Sequence, residues 1–127
     1  MSQNYVYDKE TETLLMAGWD KPVQEAYLII GTLNEEGDEW EHPLPVDRVT
    51  PFDRVNSIQY VDEIIVQYSG IAQMHGIELP QSLKVVLADQ IRRNAVNEFA
   101  IHEEGKEPVI LFDGPFHTNY FRSGQVD

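Results

Sequence analysis

The residue pattern predicts an α+β domain, a mostly antiparallel sheet packed against a pair of helices. Three observations lead there. Two short segments rich in β-branched and aromatic residues open the chain, and an unbroken apolar run, AYLIIGTL, fills 26–33. Two stretches of helical period then occupy roughly 57–96, before the period returns to two.

Taken in order, Tyr5-Val6-Tyr7 and Thr13 to Ala17 read as a hairpin turning at Asp8 to Thr11, with Gly18 closing the second strand. Trp19-Asp20-Lys21-Pro22 reads as a turn, because proline biases the preceding residue away from helix. The run from Gln24 to Leu33 lacks the polar interruptions of an amphipathic helix, so it reads as a strand buried on both faces, central in the sheet. A helix is the alternative for so short a run. Asn34 to Glu39 forms a polar turn, and Trp40-Glu41-His42 a short returning strand stopped by Pro43 and Pro45.

Thr50-Pro51-Phe52-Asp53 has the form of a helix start, with a second start at Asn56 or Ser57. From there Ile58, Val61, Ile64, Ile65, Tyr68, Ile71 and Met74 recur at spacings of three and four, ending at Gly76 as a C-cap. A second helix follows from Ser82 to Val96 with the stripe Leu83, Val86, Leu87, Ile91 and Ala95, and with Arg92 and Arg93 in its last turn. Phe99-Ala100-Ile101 and Val109 to Phe112 make a final hairpin around Glu103 to Lys106. The residues 114–127 are irregular but carry Phe116, Tyr120 and Phe121. No repeat, low-complexity block or linker interrupts the 127 residues, which fit one domain.

Residues 18–24, Gly-Trp-Asp-Lys-Pro-Val-Gln, stand directly ahead of the apolar strand. The heptad resembles that of a group of small uncharacterised bacterial proteins, which carry Gly-Trp-Asp-Arg/Lys-Pro-Leu-Gln in the same place. The later order is similar too: a helix ending Gly-Ile-Glu-Leu-Pro (76–80), then a helix ending at Arg92, Arg93, Asn94 and Asn97. In style the chain is also similar to proteins of mobile gene cassettes. The resemblance spans about residues 5–100. It implies the fold and no activity. Lys21 where arginine is more usual removes a planar, bidentate partner for a carboxylate.

Charge is the strongest compositional signal. Twenty-two acids against nine bases give a formal charge of −13, and residues 1–64 hold 14 acids and 4 bases against 8 and 5 in the remainder. A field of that sign repels phosphate backbones, which argues against direct nucleic-acid binding and for a basic protein partner or simple solubility. A narrower version of that partner role is a DNA mimic that inhibits a nucleic-acid-binding protein. The absence of cysteine excludes thiol nucleophiles, disulfides and cysteine-ligated metals, and suits a reducing compartment. The start MSQNYVYDKE has no basic segment leading into an apolar one, and no apolar run is long enough for a bilayer, so a cytoplasmic protein is expected.

No catalytic motif emerges. His42, His75, His102 and His117 lie far apart without the spacing of a zinc helix, so no metal or other cofactor is expected, and His102 falls on a turn where it should be solvated. Neither Ser69-Gly70 nor Ser123-Gly124 has the frame of a nucleophile elbow.

Three surfaces remain as binding candidates. The corner of Trp19, Asp20, Lys21 and Gln24 gathers an aromatic, an acid, a base and an amide on one connection, which suits a small-molecule site or a structural anchor. Glu35, Glu36, Asp38, Glu39 and Glu41 place five acids in seven positions, fit either to face a basic partner or to solvate a hairpin tip. Phe116, Tyr120 and Phe121 must be buried either on their own core or across a homodimer. Non-enzymatic binding of a basic partner is the leading expectation, and a small-molecule site or weak enzyme around Trp19 and Asp20 the alternative.

Overall fold

A computed structural model of the chain describes residues 2–33, 40–49 and 60–111. Among the described residues six strands form one sheet over two helices, an α+β fold: β1 Gln3–Asp8, β2 Thr13–Asp20, β3 Glu25–Leu33, β4 Trp40–Val49, α1 Val61–Met74, α2 Gln81–Arg93, β5 Phe99–Ile101 and β6 Val109–Leu111. The sheet order is β4-β3-β2-β1-β5-β6. Every neighbouring pair is antiparallel except β1 and β5, which run parallel with Asn4 opposite Ala100.

The opening hairpin is longer than its sequence suggests. Gly18 does not end β2, which continues through Trp19 to Asp20 and pairs with β3 down to Glu25. The reason for glycine is close packing: a Cβ there would lie 2.0 Å from the Ser2 carbonyl oxygen and 2.7 Å from the Tyr27 hydroxyl. The turn moves accordingly to Lys21–Gln24, where Gln24 takes a left-handed φ of 57°.

β3 lies one strand in from β4 and is buried on both faces, as its unbroken apolar run predicts: Ala26, Leu28 and Ile30 join the core beneath the helices, and Tyr27 is also buried. β4 differs from expectation. It runs on through Pro43 and Pro45 to Val49, with register shifts opposite Leu28/Ile29 and Ile30/Thr32. Among the described strands β4 lies at the edge, where a missing N–H costs no ladder bond on the outer side, and bulges absorb the rest.

Both helices pack on one face of the sheet, α1 near β3 and α2 over β2. α1 buries Val61, Ile64, Tyr68 and Ala72, a stripe at spacings of three and four. Met74, expected in that stripe, is instead 84% exposed, because the register continues through Ala72 to Ile77. The end of α1 is a Schellman motif. Ile77 N–H donates to the Ala72 carbonyl at 2.9 Å, Gly76 N–H to Gln73 at 3.0 Å, and Gly76 supplies the required φ of 78°.

α2 closes with the same bonds, Ala95 to Gln90 at 2.9 Å and Asn94 to Ile91 at 3.1 Å, with Asn94 as the left-handed residue. The helix therefore stops at Arg93, short of Val96. Both starts proposed for α1, at Thr50 and at Asn56 or Ser57, lie outside the described residues.

Candidate functional site

The Trp19 corner is built as an anchor. Trp19 is 1% exposed, and its indole Nε1 donates to Asn94 Oδ1 at 2.8 Å. Gln24 Nε2 donates to the same oxygen at 2.9 Å and to the Lys21 carbonyl at 2.8 Å. The asparagine that ends α2 thus ties that helix to the β2–β3 turn. Asp20 is partly buried and Lys21 is exposed beside this joint. Four of the acidic candidates, Glu35, Glu36, Asp38 and Glu39, and the aromatic candidates Phe116, Tyr120 and Phe121, lie outside the described residues. The backbone of Glu41 sits in β4 opposite Thr32.

A second constellation, not anticipated as a group, sits where α2 crosses β1 and β5. His102, expected to be solvated, is only 2% exposed. It stands two residues beyond Ala100, on the helix-covered face, where it reaches Asn4 of β1 and Ser82 of α2. Its Nε2 lies 3.0 Å from Asn4 Oδ1 and its Nδ1 2.9 Å from Ser82 Oγ.

The tautomer follows from the neighbours. Asn4 Nδ2 donates to the Ala17 carbonyl at 3.2 Å, and a carbonyl can only accept, so Oδ1 is the atom that faces His102. The imidazole proton is therefore on Nε2, and Nδ1 accepts from the Ser82 hydroxyl. Asn4 Nδ2 also donates to Gln90 Oε1 at 2.7 Å. Gln90 Nε2 in turn donates to Glu98 Oε1 at 3.4 Å, and Glu98 is paired with Arg93.

Burial pushes the His102 pKa down to about 4, so it is neutral near pH 7. Glu98 is held below its ordinary range by its bonds to Arg93, whose guanidinium is correspondingly held above its own. Tyr5, buried in the sheet, is raised to about 12 by desolvation.

His102 forms part of the wall of a half-open cleft of about 380 Å³. The cleft lies at the C-terminal ends of the parallel pair, β1 at Val6–Asp8 and β5 at Ile101, and is closed on the other side by the α1–α2 connection through Gly76, Ile77, Glu78 and Pro80. Val6, Ile77, Pro80 and Ile101 are apolar, while Asp8, Lys9, Glu78, Glu103, Glu104 and Lys106 supply four acids and two bases.

Some of that charge is already engaged. Glu104 Oε2 accepts from the Gln81 N–H at 3.3 Å, at the start of α2, and Lys106 Nζ lies 3.0 Å from Glu103. Asp8 Oδ1 accepts from the Glu10 N–H at 3.0 Å, which shapes the β1–β2 turn. Ser82 is not among the cleft-lining residues, so its hydroxyl does not face this space as a nucleophile would.

Among the described residues no group of three or more His, Cys, Asp or Glu could hold a metal ion, and no helix is long and apolar enough to cross a membrane. No protein-family profile, curated protein or solved structure matches the chain. The likeness of residues 18–24 to the bacterial heptad therefore stands on those residues and the order of elements alone.

Proposed function

We propose that the protein is a binding domain without a reaction of its own, and that its ligand site is the cleft at the C-terminal ends of β1 and β5. The observation that carries this reading is the cleft itself. Its volume of about 380 Å³ falls within the range of small-ligand sites, and apolar and charged residues line it together. Trp19 and Gln24 support it indirectly, because their side chains are committed to Asn94. The buried contact of Ser82, His102 and Asn4 has the order of a hydrolytic relay. Its serine lies off the cleft wall and its imidazole is a weak base, so it reads as a tie between α2 and the sheet.

A second reading is favoured by the charge of −13, namely an acidic surface that faces a basic protein partner, with the run Glu35 to Glu41 as its centre.

An amide-resolved NMR screen of small fragments tests the choice. Shifts clustering at 76–80 and 101–104 are expected. Shifts confined to 20–24 would return the site to the Trp19 corner. No localised shift, together with salt-sensitive capture of a basic protein, would favour the acidic-surface reading.

A further inference from the structure

The charges around the cleft are unequal once their existing partners are subtracted. The first turn of α2 would ordinarily attract an anion, since its N–H groups and the helix dipole point outward there. That demand is met from within, by the Glu104 carboxylate on Gln81 N–H. Lys106, one of the two bases, is held by Glu103. What remains at the cleft is Asp8, whose Oδ1 accepts from the Glu10 N–H but keeps its full charge, and Glu78, against Lys9. The inner wall adds no positive charge, because the His102 proton is spent on Asn4 Oδ1 and the ring is uncharged. Val6, Ile77 and Pro80, all buried, offer hydrocarbon to the same cleft.

We infer that the cleft takes a small organic cation with an apolar body, its ammonium at Asp8 and Glu78 and its hydrocarbon against Val6, Ile77 and Pro80. This rests on the cleft being the ligand site. The apolar body gains by leaving water, and the half-buried Asp8 and exposed Glu78 carboxylates select the sign of the head group. An anion of the same shape meets two carboxylates and a helix end already occupied by Glu104. A neutral analogue keeps the apolar contact and loses the selection.

Three probes of one shape separate these terms: 2-phenylethylammonium, 2-phenylethanol and phenylacetate. Each is titrated into the isotope-labelled protein while the amides of Ile77, Ile101 and Glu104 are followed. Saturable shifts with affinity falling from ammonium to alcohol to phenylacetate are expected. The ammonium should weaken with added salt and the alcohol should not.

The double substitution Asp8→Asn with Glu78→Gln should weaken the ammonium about fivefold and leave the alcohol unchanged. Asparagine retains the oxygen that accepts from Glu10, so the turn should persist. Glu63→Gln, on the exposed side of α1, removes charge elsewhere and should leave the ammonium within twofold. Phenylacetate binding as tightly as the ammonium, or an ammonium affinity untouched by the double substitution, overturns the inference while leaving the cleft as a site. Silence from all three probes overturns it as well, and the fragment screen then decides whether the cleft reading falls with it.

Discussion

Lowering the pH charges the imidazole of His102 in a place built for its neutral form. In the unfolded chain the group titrates near the ordinary value of about 6.5, whereas in the fold burial holds it down to about 4. Between those values the unfolded state binds the proton more readily, so stability falls as the pH falls. The contribution is complete above about pH 6.5 and is lost progressively toward pH 4. Linkage with these two values gives a loss of about 2 kcal/mol by pH 5 and about 3 kcal/mol by pH 4, relative to pH 7.

Two other effects overlap. Protonating carboxylates relieves the self-repulsion of a chain at −13, which stabilises, while Glu98 loses its bonds to Arg93, which destabilises. His102→Gln removes the titration and leaves both overlapping effects in place. Urea unfolding of the native protein and the variant from pH 7 to pH 4.5 should give curves whose difference narrows by about 2 to 3 kcal/mol toward acid. The His102 Cε1 proton, followed by NMR in the folded protein, reports the same titration without any variant. A native pKa near 6.5, or parallel stability curves, would refute the argument that burial holds His102 neutral.

Two substitutions test the frame that carries the cleft. Gly18→Ala puts a methyl into the space held by the Ser2 carbonyl and the Tyr27 hydroxyl, and should lower stability by about 3 kcal/mol in denaturant unfolding; a change below 0.5 kcal/mol would show that the N-terminal strand yields there. Asn94→Gly retains the left-handed end of α2 but removes the acceptor shared by Trp19 and Gln24, and should cost about 1 to 2 kcal/mol with altered tryptophan fluorescence; unchanged stability would mean that this joint contributes nothing.

Much of the fold was legible from local pattern, because local pattern is what steric preference and one-sided burial write into a chain. The spacing of Val61, Ile64 and Tyr68, the stripe of Leu83, Leu87 and Ile91, and the run from Ala26 to Leu33 each identify their element and the face it buries. Gly76 announces the end of α1 because few other residues accept its φ. Local pattern misled where a neighbour supplied the missing condition. Pro43 and Pro45 sit within β4 at a described edge, and Gly18 lies mid-strand because the Ser2 backbone passes over it.

The candidate site was hidden for a different reason. Its parts come from three places: Val6 to Lys9, Gly76 to Pro80, and Ile101 to Lys106. The parallel pairing of β1 with β5 and the packing of the α1–α2 connection against them bring the parts together, and an element's own sequence does not name its partner. His102 and Asn4 stand 98 positions apart, and each alone is an ordinary polar residue. The sequence by itself determined the fold class, the sign of the surface and the absence of thiol chemistry. The tertiary structure decided that the indole of Trp19 is an anchor, that His102 is buried and neutral, and that a cleft opens beside it, because burial and hydrogen-bond partners belong to pairs of elements and not to segments.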